Sequence, residues 1–141
     1  MSAALPAVGD VLAEREFRIT RDALVRYAGA SGDFNAIHYR DDVAAAVGLP
    51  GVLAHGMLTM GAAVQPVVDW VERMPGAKIV EYGVRFVRPV LVDPTDGALV
   101  TVTATVGAVD ESLGIVRVDL AVTAAGETVL GKAQVRVSLG S

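Results

Sequence analysis

The chain alternates apolar and polar residues in five separate stretches, a period of two that is typical of strands with one buried face. The first stretch covers residues 14–19, where Phe17 and Ile19 share one face. The other four follow residue 79 and are separated by turn-forming residues at 94–97, 110–114 and 125–126. Their predicted inward residues are Val80, Tyr82, Val84 and Phe86; Val100, Val102, Ala104 and Val106; Val116, Val118, Leu120 and Val122; and Val129, Ala133, Val135 and Val137. Their hairpin-like spacing favours an antiparallel sheet with one apolar face.

Three segments carry a helical pattern instead. Short helices are predicted at 21–30, with Thr20 as the N-cap, and at 40–47, ending before Gly48. From 56 to 73 apolar residues cover nearly every side, which is typical of a buried helix, and Pro66 is expected to bend it. A one-sided sheet and a helix that is apolar all round predict an α+β fold in which the sheet curls round the helix.

Composition narrows the class of protein. A length of 141 residues suits one domain, predicted here as 1–141, and 52% hydrophobic with 20% charged residues excludes a disordered chain. The absence of cysteine excludes a disulfide scaffold, a thiolate zinc site and a cysteine nucleophile. The formal charge is −4 and the sequence has no basic run, so nucleic acid is not an expected partner.

The sequence also predicts the cellular location of the protein. Residues 1–6 carry no basic segment that leads into a long apolar stretch, so no signal peptide is predicted. The longest uncharged stretch, between Asp42 and Asp69, is interrupted by His55, Pro66 and several glycines, so it does not read as a membrane span. The prediction is a soluble cytoplasmic protein with no membrane partner.

Candidate chemistry is concentrated between residues 27 and 60, which contain both histidines of the chain. Asp33 and His38 flank a predicted non-helical stretch, so their side chains can converge on one point. A carboxylate beside an imidazole can hold a water molecule and move protons near neutral pH. The alternative interpretation is structural, with Asp33 as a cap of the next helical turn and His38 as a half-buried side chain.

His55 and Gly56 stand at the predicted start of the buried helix. The first N–H groups of a helix have no partner within it, and a glycine lets a substrate oxygen approach them closely, as an oxyanion site requires. In the alternative interpretation Gly56 only starts the helix, and His55 forms hydrogen bonds with nearby loops.

Taken together, the run from Tyr27 to His38 and the later Ala54-His55-Gly56-Met57 resemble the hydratase motif of MaoC-like (R)-specific enoyl-thioester hydratases. They are similar in particular to the dehydratase subunits that act on (3R)-hydroxyacyl-ACP in bacterial fatty-acid elongation. The stretch 82–90 also resembles the strand that follows the helix in that family. The resemblance covers nearly the whole chain, and its most specific part is the Gly-Asp-x-Asn-x-x-His core at 32–38.

The resemblance implies a single hot-dog domain, in which a curved antiparallel sheet wraps round one long buried helix. It implies that Asp33 and His38 form a catalytic dyad that holds the reacting water. The substrate-positioning residues would be Gly56, which supplies the oxyanion N–H, with Asn35 and His55, and the apolar residues beside the acyl chain would be Met57, Leu58 and Met60. The family usually has proline after the motif asparagine, whereas this chain has Ala36, which loosens the loop. Neither a metal nor a cofactor is expected.

The implied activity is that of a hydro-lyase, which interconverts trans-2-enoyl and (3R)-3-hydroxyacyl thioesters in fatty-acid or related acyl metabolism. The implied substrate is an acyl-CoA or an acyl-ACP, and the expected assembly is a homodimer or a heterodimer with a second hot-dog subunit. The phosphates of the substrate could meet the cations of the strands, although most of these are expected on solvated faces: Arg85, Arg88, Arg117, Lys132 and Arg136.

Two other interpretations remain. A hot-dog acyl-thioesterase usually has a carboxylate on or near the long helix, and here Asp69 and Glu72 lie only at its far end. A non-catalytic acyl-binding or partner subunit would not require Asp33 and His38 to meet.

Overall fold

A computed structural model describes residues 5–140, which form five strands and four α-helices. The elements in chain order are β1 (Val11–Ile19), α1 (Arg21–Ser31), a 3-10 turn (Ala36–His38), α2 (Asp41–Ala46), α3 (Gly56–Ala63), α4 (Gln65–Glu72), β2 (Lys78–Phe86), β3 (Ala98–Asp110), β4 (Ile115–Ala124) and β5 (Glu127–Ser138). The absence of a signal peptide was predicted from residues 1–6, and residues 1–4 lie outside the described part of the chain.

The five strands form one antiparallel sheet in the order β1-β3-β4-β5-β2. The predicted inward residues of β3, β4 and β5 are all buried, because the period of two places them on the side that faces the helices. They form one core with residues of the helical segment, including Ala63, Val64 and Val67. The sheet and helices have the predicted hot-dog arrangement.

Strand β2 departs from its predicted alternation. Tyr82 and Val84 pack against the core, whereas Val80 and Phe86 are exposed and Ile79 takes the core side in place of Val80. The pairing with β5 shifts by one residue between Ile79 and Glu81, and again between Gly83 and Arg85. A one-residue shift moves every later side chain to the other face, and the sequence pattern did not reveal it.

The predicted helix from 56 to 73 is divided at Val64 into α3 and α4. Pro66 has no N–H to donate and its ring crowds the carbonyl of Ala62, so it does not sit inside one continuous helix. It lies in the first turn of α4, where the missing N–H would have no intrahelical partner anyway. The proline therefore ends one helix and starts the next, which goes further than the predicted bend.

One side of α3 is not covered by the sheet of this chain. Thr59 and Ala63 face the core, whereas Gly56, Met57 and Gly61 are exposed. Tyr82 of β2 fixes the opposite side by donating its hydroxyl to the Met60 carbonyl at 2.7 Å. Within residues 5–140, no helix combines the length and the apolar composition that crossing a bilayer requires.

Candidate active site

The end of α1 places Asp33. Gly32 adopts a left-handed conformation with φ of 78°, and its N–H closes the helix on the Ala28 carbonyl. The chain then leaves the helix axis, and the Asn35 N–H donates to Asp33 Oδ1 at 3.2 Å. This local turn holds one carboxylate oxygen and leaves Oδ2 to point away from the loop.

Asn35 caps the turn that follows it. Its side-chain oxygen accepts the Ile37 N–H at 3.2 Å and caps the 3-10 turn that ends at His38. The loop is further tied by the Tyr39 hydroxyl, which donates to the Phe34 carbonyl at 2.9 Å. These bonds form in a loop that has Ala36 where the family usually has proline.

His38 is only 9% exposed, and its ring orientation is fixed by one hydrogen bond. Nδ1 lies 2.7 Å from the Leu53 carbonyl oxygen, which can only accept, so Nδ1 carries the proton. In the neutral ring, Nε2 therefore presents a lone pair toward Asp33 Oδ2, which lies 3.9 Å away. This separation is too long for a direct hydrogen bond, and both atoms are acceptors, so a water molecule between them can donate one hydrogen to each.

His55 connects the two members of this pair. Its ring stacks on His38 with centroids 3.8 Å apart and an interplanar angle of 23°, and Tyr27 packs on it at 4.7 Å. His55 Nε2 lies 3.2 Å from the Asp33 backbone carbonyl and donates to it. Burial, together with the neighbouring His38, holds the pKa of His55 below its usual value, so the ring is neutral at neutral pH.

Gly56 begins α3 with no side-chain cap. Among the described residues, no backbone carbonyl accepts the N–H of Gly56 or Met57, so these amides point out of the helix at its positive end. A Cβ at position 56 would lie 2.9 Å from the ring of Phe86. The close approach of this ring favours glycine at position 56, and the two amides are donors without a backbone partner in the described part of the chain.

A cavity of about 630 Å³ opens beside Asp33, His55 and Gly56, whereas His38 is not among the residues that line it. Its polar side includes Asp33 and His55, and its apolar side comes from α3, the end of β2 and the following loop, and β5. Of the three residues predicted beside the acyl chain, Met57 lines this cavity, whereas Leu58 packs against the core and Met60 lies half-buried. The apolar lining residues that complete the wall are Leu53, Phe86, Val87, Val90, Val129 and Leu130.

Asp33, His38 and His55 place potential metal-ligand atoms within 4.8 Å of one another. Their geometry does not suit one ion, because nearly parallel stacked rings direct their in-plane lone pairs side by side and not toward a common point. In addition, His55 Nε2 is already engaged with the Asp33 carbonyl, and the other ring nitrogen of His55, Nδ1, is buried. Proton transfer fits this cluster better than metal binding.

The cations predicted as phosphate contacts occupy different positions. Arg88 lies at the cavity, where it contacts the Thr128 carbonyl at 3.1 Å and Glu127 at 3.5 Å. Arg117 is paired with Asp119 at 2.9 Å on β4. Arg88 is therefore the predicted cation best placed to meet a polar group at the cavity mouth.

Two side chains of the site were not assigned a role from the sequence. Phe86 was placed only as an inward strand residue, although it lies against Gly56. Thr59 is 2% exposed and is the one polar residue between Gly56 and Val64. A single hydroxyl in an apolar helix, four residues after a histidine, was the signal that could have identified it.

Comparison with known proteins gives the family. The MaoC like domain model matches residues 5–124. A 3-hydroxyacyl-thioester dehydratase X from Mycobacterium tuberculosis is 42% identical over 83 residues, which are 59% of this chain and 28% of that protein. The match thus spans less than a third of the length of that relative.

Solved structures agree with this assignment. A MaoC-like dehydratase superposes with a TM-score of 0.87 and 32% identity over 96% of this chain and 41% of that one. A chain of the ChsH1-ChsH2 complex from Mycobacterium tuberculosis superposes with a TM-score of 0.80 and 26% identity, over 95% of this chain and 98% of its own length. The chain described here belongs to the MaoC-like domain family.

Proposed function

We propose that this chain catalyses the reversible hydration of trans-2-enoyl thioesters to (3R)-3-hydroxyacyl thioesters. The observation that carries the proposal is the 3.9 Å gap between Asp33 Oδ2 and His38 Nε2, because Asp33 lines a largely apolar cavity that Gly56 at the start of α3 also lines. The family membership and the name of the 42% identical relative, a 3-hydroxyacyl-thioester dehydratase, support the same chemistry.

Hydration needs a hydroxide equivalent at C3 and a proton at C2. A water held by Asp33 and His38 donates one hydrogen to each, which leaves an oxygen lone pair free to attack C3. One member of the pair takes the proton of the attacking water, and the pair returns a proton to C2, so atoms and charge balance. The two groups titrate together, and the base is the pair and not a single residue.

Attack at C3 moves electrons onto the thioester oxygen. The amide at Gly56 donates to this oxygen from the positive end of α3, which stabilises the enolate-like intermediate. The acyl chain then extends along the apolar wall that includes Met57 and Leu130. Stereochemistry follows from one water site on one face of the bound alkene, and the family resemblance assigns that face to the (3R) product.

The carrier of the acyl group is a CoA or an acyl carrier protein, both of which carry a phosphate at the far end of the pantetheine arm that bears the thioester sulfur. Arg88 at the cavity is the proposed contact for this phosphate, although Arg88 also forms an ion pair with Glu127. This arrangement supports a phosphate-bearing carrier without favouring one over the other.

The thioesterase alternative gains no support from the helical carboxylates. Asp69 forms an ion pair with Arg15 of β1 at 2.6 Å, on the opposite end of the helical segment from Gly56. A general base for thioester hydrolysis would have to act near the carbonyl carbon beside Gly56. A thiol-release assay on the same substrates separates the two reactions, because hydration leaves the thioester intact.

We also propose that the working assembly is a dimer. β2 is an edge strand that carries the exposed apolar residues Val80 and Phe86, and the exposed Val87 follows it. Met57 of α3 lines the same cavity as Phe86 and Val87. A second copy that pairs along this edge would satisfy the free strand groups and cover the open side of α3. The ChsH1-ChsH2 match is a complex of two chains, so a second, different subunit is the alternative partner.

The function is tested with a set of trans-2-enoyl-CoA esters of increasing chain length. Loss of the enoyl absorbance with retention of the thioester is the expected result for at least one length. Release of free thiol without a hydroxyacyl product would instead show a thioesterase, and no reaction with any carrier would show a non-catalytic subunit.

A further inference from the structure

Two buried polar atoms in the wall of the site have no hydrogen-bond partner in the described part of the chain. They are Nδ1 of His55 and Oγ1 of Thr59. Both residues are 2% exposed and line the cavity, but neither of these two atoms is reached by solvent. A buried polar atom without a partner is destabilising, so each of these atoms requires an explanation.

The two atoms are complementary. His55 Nε2 donates to the Asp33 carbonyl, so in the neutral ring Nδ1 is an acceptor without a hydrogen. The low pKa of His55 agrees with this neutral form. Thr59 supplies a hydroxyl hydrogen, and its N–H donates to the carbonyl of His55, the N-cap of α3, so the two residues lie one helical turn apart.

The usual local acceptor for the threonine is already occupied. A helical threonine commonly donates to the carbonyl four residues before it, which here is that of His55. That carbonyl already accepts the N–H of Leu58 at 3.1 Å and the N–H of Thr59 at 3.2 Å. With both lone pairs in use, the unpaired Nδ1 of His55 remains as an acceptor for this hydroxyl.

We infer that Thr59 is a positioning residue, whose hydroxyl donates to His55 Nδ1 and locks His55 in the tautomer that holds the Asp33 backbone. The chain of contacts is then Thr59 to His55, His55 to the Asp33 carbonyl, and His55 to the stacked His38 ring. Without the hydroxyl, His55 can exchange tautomers and present a bare Nε2 to the Asp33 carbonyl, which repels it. The Asp33 backbone is then no longer held by His55, and the 3.9 Å separation between Asp33 Oδ2 and His38 Nε2 is no longer maintained.

This inference rests on the proposed function for its kinetic consequence but not for its structural one. Thr59→Val keeps the shape and removes the hydroxyl, whereas Thr59→Ser keeps the hydroxyl and removes a methyl group. In hydration assays Thr59→Val should lower kcat about tenfold with little change in KM, as expected for a displaced proton-transfer pair, and Thr59→Ser should restore most of kcat. Equal kcat in the wild type and Thr59→Val would overturn the inference.

The structural arm uses no substrate. In ¹⁵N-histidine-labelled protein, long-range proton–nitrogen spectra report the tautomer of His55 and whether Nδ1 accepts a hydrogen bond. In the wild type and in Thr59→Ser, His55 Nε2 should be protonated. In Thr59→Val, the ¹⁵N resonance of His55 Nδ1 should move downfield, or Nδ1 should become partly protonated. Unchanged ¹⁵N chemical shifts of His55 in Thr59→Val would overturn the inference even in an active enzyme. Thr59→Ala is used instead where the valine variant fails to fold. An inactive wild type with the expected spectra would count against the proposed function alone.

Discussion

At the scale of single residues, the chemistry depends on where three side chains point. Asp33 is held by its own turn, His38 by the Leu53 carbonyl and His55 by the Asp33 carbonyl. Each of these bonds uses a backbone group, so the orientation of the pair is set by the loop and not by a direct contact between Asp33 and His38. Substitutions at the pair should therefore affect the reaction much more than the fold.

The first prediction concerns this pair. Asp33→Asn and His38→Gln should each lower kcat by about 10²–10⁴-fold, because a positioned acid or base contributes about that much. Asp33 is 52% exposed in its side chain, so little stability should be lost. Asp22→Asn is the matched control, since Asp22 is an exposed carboxylate paired with Arg26 on α1. Wild-type rates in both pair variants would contradict the dyad.

The second prediction concerns the pH dependence of stability through His55. Its folded-state pKa is lowered by burial, so the unfolded chain binds the proton more readily between that value and 6.5. The free energy of unfolding should therefore rise as the pH increases through this window and level off above it. Urea titrations of the wild type and His55→Gln measure the effect, and an equal slope in the two proteins would show that His55 does not cause it.

At the scale of elements, the start of α3 carries the proposed oxyanion site. Gly56→Ala should lower kcat markedly, because the new methyl group meets the Phe86 ring at 2.9 Å and displaces either the ring or the amide. Gly61→Ala is the matched control on the same helix, since a Cβ there meets nothing within 4 Å. It should leave kcat unchanged and stabilise the fold by about 0.5–1 kcal/mol. Equal kcat in the two variants would exclude a close approach at Gly56.

The elements also show which features could be predicted from the sequence. The inward faces of β3, β4 and β5 followed from alternation, because their inward residues are buried without interruption. The prediction was wrong for Val80 and Phe86 because the register of β2 shifts, a property of its pairing with β5 and not of its own residues. The division at Val64 follows from Pro66, which the sequence showed, but whether a proline bends or divides a helix depends on packing.

Some features of the site could likewise be predicted from the sequence, and others could not. The motif indicated Asp33, His38 and Gly56, and the structure brings Asp33 within 3.9 Å of His38 and Gly56 to the same cavity as Asp33. The stacking of His55 on His38 could not be predicted, because it depends on how the loop before α3 returns to the 3-10 turn. The apolar wall of the cavity also includes residues of β5, which is distant in sequence from the motif.

At the scale of the whole molecule, the exposed apolar residues along the edge strand β2 predict that two chains associate. Light scattering at micromolar concentration should give twice the mass of one chain, because pairing along β2 covers Val80, Phe86 and Val87. Val80→Lys places a charge on this edge, and Val25→Lys on the exposed side of α1 is the control. A fully active monomer would contradict the dimer, and an inactive monomer would point to a different partner chain.

The most direct test of the account is the reaction itself, followed with trans-2-enoyl thioesters in water and ended with chiral analysis of the product. The account predicts a 3-hydroxyacyl thioester of (3R) configuration, formed by the wild type and nearly absent with Asp33→Asn. A mainly (3S) product would contradict the proposed geometry of the water site. Complete inertness of the assembled protein toward CoA and carrier-protein substrates would contradict the proposed activity.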